Sequence, residues 1–375
     1  MIKDYKAIGL RLVFLSQRIV ERDLASGLFF FLFLVIPAHA ANWFFYPSEG
    51  KPCTLSTCNG TQDHPWRFHP MSGKVGAVDP SVMQSGDTLY ICGDHKNYNL
   101  DDRVVLDIPG LLISGKCPDG SQGILRSYLT LRANATGSVI QDLIMRGPGV
   151  GPTGEGQAIA LVGTDQVTIS RLVISGWRRG IMCARQEVCD NVVIEHSTFY
   201  SVGQGIEKFA QGGLAEDADW TIRFNHFYDI GISYPLGDGE AIGIQGVDGL
   251  HIYGNYITNA RIGINMWTHD HSYIRNVTIE GNHLVGIHSA PCSWPSRGIM
   301  RSHSNTRPEV FENIVIRYNA IYNTGAQAIR MSAADGATGN IIAYNIIGET
   351  GMECEAEPIW THGPWLQEHN LLMVD

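Results

Sequence analysis

The sequence predicts an all-β solenoid, a coil of short strands stacked on further copies of itself, and three observations predict it. From residue 140 onward a short apolar motif recurs, starting at Ile140, Ile169, Ile194, Ile222, Ile252, Ile279, Ile316 and Ile342. The copies lie 25 to 37 residues apart, a period that marks stacked supersecondary units. Each copy alternates apolar and polar residues around a tight bend, as in Val277-Thr278-Ile279-Glu280-Gly281-Asn282-His283-Leu284, without a helical stripe. A further strand recurs where Gly, Ala or Pro precedes Ile, at Ala158-Ile159, Gly180-Ile181, Gly205-Ile206, Ala241-Ile242, Gly263-Ile264, Gly298-Ile299, Ala328-Ile329 and Pro358-Ile359. Each coil thus supplies about three strands that stack on the next at about 4.8 Å.

Taken in order, residues 1 to 40 read as a signal peptide. Lys3, Lys6, Arg11, Arg18 and Arg22 precede the apolar run Leu28 to Ile36, which ends at the small-residue pattern Pro37-Ala38-His39-Ala40. The run is too short for a membrane span, so the expectation is a secreted or periplasmic chain without stable membrane insertion after cleavage. Residues 41 to 85 are aromatic and loop-rich, with Trp43, Phe44, Phe45, Tyr46, Trp66 and Phe68. They are expected to cap the open end of a solenoid over residues 86 to 375. At the other end the chain stops at Leu371-Leu372-Met373-Val374-Asp375, where another coil would begin. That reads as a truncated product or an end covered by a partner.

Composition narrows the function classes. Only 17% of the 375 residues are charged, 42 are Gly, and the formal net charge is -10. This excludes a disordered chain or a coiled coil and argues against a nucleic-acid partner. All eight cysteines follow residue 40, an even count that suggests disulfides in an exported chain. Cys53 and Cys58, Cys92 and Cys117, and Cys183 and Cys189 are nearest in sequence, leaving Cys292 with Cys354, although spacing alone does not fix connectivity.

Five copies of the motif place Asn at its bend: Asn225, Asn255, Asn282, Asn319 and Asn345, where earlier copies have Leu143, Leu172 and Ser197. Asn tolerates left-handed backbone, and stacked amides satisfy one another. The column is therefore structural. Asn191, Asn276, Asn313 and Asn340 form a second such column.

With these motifs the chain resembles the right-handed parallel β-helix of the pectate-lyase-like superfamily, over roughly residues 86 to 375. The opening Gly86-Asp87-Thr88-Leu89-Tyr90-Ile91-Cys92-Gly93 is similar to the strand that enters such helices. The resemblance implies a substrate groove along the strand that follows the Gly/Ala-Ile pair, and a carbohydrate-directed activity.

If those Ile side chains point inward, alternation places Ala160, Met182, Glu207, Gly243, Asn265, Met300, Arg330 and Trp360 outward. Two residues further on stand Gln245, Trp267, Ser302, Ser332 and His362. This polar and aromatic face suits sugar binding, through Glu207, Gln245, Asn265, Trp267, Arg330 and Trp360. Glu240, with Asp238, reads as a carboxylate at the groove entrance, and His269 and Arg301 as groups on segments that follow the groove strand. Lys208 falls on the inward column with Leu161, Cys183, Ile244 and Met266. Two arrangements accommodate it: a displaced turn with a solvated ammonium, or a functional base on a strand that bends outward.

Three chemistries follow. A polysaccharide lyase acting on an acidic, uronate-containing polymer must neutralise a carboxylate, remove the adjacent proton and protonate the leaving oxygen. The resemblance puts Lys208, Glu240, His269, Arg301 and Arg330 among its candidates, with Ca²⁺ as a possible cofactor held near Asp238. A glycoside hydrolase needs two carboxylates, for which Glu207 with Glu240 or Asp238 qualifies; the paired aspartates and Arg-Ile-Lys pattern of polygalacturonase-type hydrolases are missing. A non-catalytic glycan-binding repeat protein would use the tryptophans alone. Elimination is the expectation, with binding and hydrolysis as alternatives.

Overall fold

A computed structural model describes residues 40–45, 60–63, 65–66, 80–94, 103–149, 156–184, 187–208, 218–232, 239–268, 273–288, 296–303, 310–333, 337–351 and 356–373. The signal peptide expected before Ala40, the cysteines Cys53, Cys58, Cys292 and Cys354, and the candidates Asp238 and His269 lie outside the described residues.

Three parallel sheets wrap one apolar core. Sheet 1 has 12 strands, from Asn42–Phe45 to Leu366–Glu368; sheet 2 has 10, from Ile124–Leu125 to Leu371–Met373; sheet 3 has 10, from Arg103–Leu106 to Ile359–His362. Each inner strand pairs with its counterpart one coil earlier and one coil later, as where Ile252 stands between Ile222 and Ile279. The eight Ile residues that start the motif are all fully buried on sheet 1.

Sheets 1 and 2 are joined by two-residue bends such as Gly281-Asn282, between strands Ile274–Glu280 and His283–Ile287. The first bend residue takes a positive φ, 61° at Gly281 and 57° at Tyr344, and the second enters a buried ladder. The backbone N–H of Asn225 donates to Asn255 Oδ1, that of Asn255 to Asn282, and so on through Asn319 and Asn345 to Asn370, each at 3.0 or 3.1 Å. Ser197 continues the ladder backwards by accepting from the Leu172 N–H. The second expected Asn column is also a bend, with φ of 53° at Asn191, 56° at Asn276 and 55° at Asn313. Asn340 does not belong to it: Gly339 has the positive φ, 73°, and Asn340 is the buried neighbour that accepts from the Ile314 N–H.

From Ala158 to Ala328 the small residue that the sequence repeats lies at or beside the start of each sheet 3 strand. A Cβ added at Gly205 would lie 2.4 Å from the Ala241 carbonyl oxygen and 2.9 Å from the Phe227 ring; at Gly180, 2.4 Å from the Gly205 oxygen and 2.8 Å from Phe199. The chain turns into the core there, so both the small residue and the Ile after it face inward. The residues on either side of the pair face the groove.

At the N-terminal end, Asn42–Phe45 pairs in register with Thr88–Ile91, so sheet 1 starts inside the segment read as a cap. Phe45 and Trp66 are buried in the core cluster, and Trp43 stacks on Trp66 at 5.3 Å. Disulfides join Cys92 to Cys117 and Cys183 to Cys189, two of the near-neighbour pairs.

Candidate functional site

The outward column read from the sequence is the one formed. Met182 pairs with Ala160 and Glu207, Glu207 with Gly243, Gly243 with Asn265, Asn265 with Met300, Met300 with Arg330, and Arg330 with Trp360. Gln245 pairs with Trp267 in the neighbouring column.

The middle of this face holds two carboxylates. Glu207 is ion-paired with Arg179, one coil earlier. Glu240 is fully buried, in strand Glu240–Gln245 rather than in the preceding loop. Its Oε2 accepts from Gln204 at 3.0 Å and its Oε1 from Asn265 at 2.8 Å. The space its carboxylate fills exists because residue 243 is Gly, where an added Cβ would stand 2.9 Å from Glu240 Oε2. Glu207, Lys208, Glu240, Gly243, Ile244, Gln245 and Trp267 share the lining of one shallow depression, and Gly243 is the strand partner of Glu207. The two carboxyls therefore border one depression from adjacent coils, whose backbones run about 4.8 Å apart.

Lys208 and Arg301 are placed differently from the two carboxylates. The strand stays in register at Lys208, which pairs with Cys183 and Ile244, and the side chain is 1% exposed. Its ammonium donates to the carbonyls of Gln245, at 3.1 Å, and Gly246. The solvated arrangement is thus not adopted, and neither is the outward bend. Arg301, read from the sequence as following the strand, lies within Ile299–His303 and pairs with Met266 on that same inward column, 7% exposed. Its guanidinium lies 4.6 Å over the Phe311 ring and donates to the Ser332 carbonyl. Both cations bind carbonyls at the end of the next coil's groove strand, where the sheet ladder runs out and backbone acceptors need donors.

At the far end of the groove Arg330 stands 5.0 Å over the Trp360 ring, and Trp360 stacks near His362. Four coil steps separate Arg330 from Glu207, about 19 Å. Among the described residues no group of three or more His, Cys, Asp or Glu is placed to hold a metal ion. Two site residues escaped the sequence reading: Arg179 and Gln204. Each directly precedes the repeated Gly, and that position reads Gln157, Arg179, Gln204, Glu240, Ile262, Arg297, Gln327 and Glu357 down the chain. Its persistent polarity was the available signal.

No family model and no curated protein matches this chain. Solved structures do. A hyperthermoactive exopolygalacturonase from Thermotoga maritima aligns over 77% of this chain and 80% of its own, with TM-score 0.53 and 11% identity. DFA-IIIase from Arthrobacter chlorophenolicus A6, in complex with GF2, aligns over 77% of each chain with TM-score 0.50 and 12% identity. The chain is a right-handed parallel β-helix protein. At such identities the likeness speaks for the β-helix and leaves its chemistry to the site.

Proposed function

We propose that this β-helix is an exported enzyme that binds an acidic polysaccharide along the outward face of sheet 3 and hydrolyses its glycosidic bonds through Glu207 and Glu240. The observation that supports it is the presence of two carboxyls from adjacent coils in the lining of one depression, each held by its own partners. Glu207, held in an ion pair by Arg179, would attack the anomeric carbon or activate a water there. Glu240, on the adjacent coil, is the second carboxyl that glycoside hydrolysis requires. Trp267 offers a ring face to the sugar next to this pair, and Arg330 over Trp360 offers a cation and a ring to a uronate about 19 Å away.

Elimination, the expectation from sequence, asks for a base on this face. Lys208 and Arg301 donate to strand-end carbonyls, whereas Glu207 and Glu240 border the depression, held by the side chains of Arg179, Gln204 and Asn265, so hydrolysis is the reading proposed. Export is supported by the two disulfides, whose chemistry belongs to oxidising compartments, and among the described residues no helix is long and apolar enough to cross a membrane. The test is product analysis on polygalacturonate, alginate and glycosaminoglycans. New reducing ends without the ultraviolet absorbance of an unsaturated uronate support hydrolysis; the absorbance with matching ends supports elimination.

A further inference from the structure

The outward faces of sheets 1 and 2 differ in chemistry. Sheet 1 is laced with ion pairs, among them Arg223 with Glu195, Arg275 with Asp248 and Arg317 with Glu280. That is the ordinary solvated face of a solenoid. On sheet 2, the two outward columns between Thr198 and Tyr322 carry no Asp, Glu, Lys or Arg.

Rings stand there instead. Tyr200 stacks on Tyr228 at 5.1 Å, His226 lies 5.2 Å from Tyr228 and 5.1 Å from Tyr256, Tyr256 lies 5.1 Å from His283, and His283 meets Tyr322 at 6.0 Å. The contacts form one unbroken chain of rings across five successive coils. Several rings are tilted against their neighbours, by 45° at His226 and Tyr256 and 47° at Tyr256 and His283, so their faces are not consumed by mutual stacking. Tyr256, at the centre, is 41% exposed. Burial holds the His226 imidazole below its ordinary pKa.

We infer that this strip is a second carbohydrate-binding surface, distinct from the sheet 3 groove, and that it takes an uncharged polysaccharide laid along the solenoid axis. An extended row with one or two rings per coil fits a polymer of ring-shaped units better than a compact ligand. Aromatic faces pack on the C–H faces of sugars, while phenol and imidazole tips serve their hydroxyls. The two columns carry no cation, and Asp229, beside Tyr228 in the same strand, is an anion; this disfavours the acidic chain proposed for the groove, so the two faces would hold different polymers.

Native affinity electrophoresis in gels containing hydroxyethylcellulose or galactomannan tests this. At least one of these neutral polymers should retard the full chain. The double variant Tyr228→Ala/Tyr256→Ala should bind it about tenfold more weakly, and the independent variant His283→Ala should also weaken it, with circular dichroism unchanged in both. Trp267→Ala, in the groove, should leave this retardation intact. Failure of both polymers to retard the chain, retardation indifferent to the strip variants, or retardation abolished by Trp267→Ala would overturn the inference. So would sedimentation showing a wild-type dimer that the double variant dissociates, because the strip would then be covered by a second copy.

Discussion

Replacing Asn255 by Ala tests the physical account of the ladder, because its consequences can be counted bond by bond. Asn255 Oδ1 accepts from the backbone N–H of Asn225 at 3.0 Å and from its amide at 3.1 Å. Its Nδ2 donates to Ile222 O at 2.9 Å, to Tyr253 O at 3.2 Å and to Asn282 Oδ1 at 2.9 Å. After the substitution the Asn225 amide keeps Ile194 O, and Asn282 Oδ1 keeps the Asn255 N–H. The Asn225 backbone N–H and the Ile222 carbonyl lose the bonds described here in a fully dry corner. At roughly 1–3 kcal/mol for each buried group left unsatisfied, the cost is about 2–6 kcal/mol. Asn370→Ala removes the same acceptor from Asn345 at the ladder's last rung, which is partly exposed, so water substitutes and the cost should stay below about 1 kcal/mol. Urea unfolding followed by circular dichroism compares the two at once. Equal midpoints for the two variants, or an Asn255→Ala loss under about 1 kcal/mol, would refute the reasoning.

Other consequences follow from the same structure. Gly205→Ala forces a Cβ against the Ala241 carbonyl and Phe227 and should cost about 1–3 kcal/mol, whereas Gly281→Ala, in open space at φ +61°, should cost about 1–2 kcal/mol from its left-handed backbone; thermal unfolding of both variants orders them. Lys208→Met should lower the unfolding midpoint by leaving the Gln245 and Gly246 carbonyls short of a donor, while the pH profile of activity keeps its shape; a lost basic limb would return Lys208 to the role of a base. Stability should fall on acidification in two stages. The His226 pKa is depressed by burial, so the unfolded chain binds the proton first and stability declines from about pH 6.5 downward. Asp142 is held low by its hydrogen bond from Arg171, and Glu280 is held low, against burial, by Arg317 and His251. Their contributions are present above the ordinary carboxylate range and are lost below about pH 4. Denaturant titrations of wild type and His226→Gln between pH 3 and 8 should show the upper stage vanish in the variant; an unchanged upper stage would contradict the assignment.

The fold was largely legible because a solenoid repeats its constraints. A Gly or Ala before an inward Ile recurs for steric reasons in seven of the eight copies, with Pro358 in the last, and counting from the pair placed Glu207, Asn265, Arg330 and Trp360 on one outward column. Legibility failed where charge was taken as a proxy for exposure. Arg301 was read as lying beyond its strand, yet it occupies a core column because its guanidinium reaches a strand-end carbonyl and the Phe311 face. Lys208 presented the same problem with the opposite cue: alternation pointed inward, and the carbonyls of Gln245 and Gly246 make that position tolerable. Arg179 and Gln204 were passed over because their importance lies in what they hold, Glu207 and Glu240, and partners one coil away cannot be read from local sequence. The sheet 2 ring strip was hidden for a similar reason, since its members are about 30 residues apart along the chain.

Release of reducing ends from polygalacturonate, alginate and glycosaminoglycans by wild type, Glu207→Gln and Glu240→Gln tests the central claim most directly. The account predicts turnover of one polymer by wild type and a loss of at least about 10²-fold in each variant, with the circular dichroism of the β-helix preserved. Turnover unchanged in both variants, or no cleavage of any of these polymers by the wild-type chain, would contradict it.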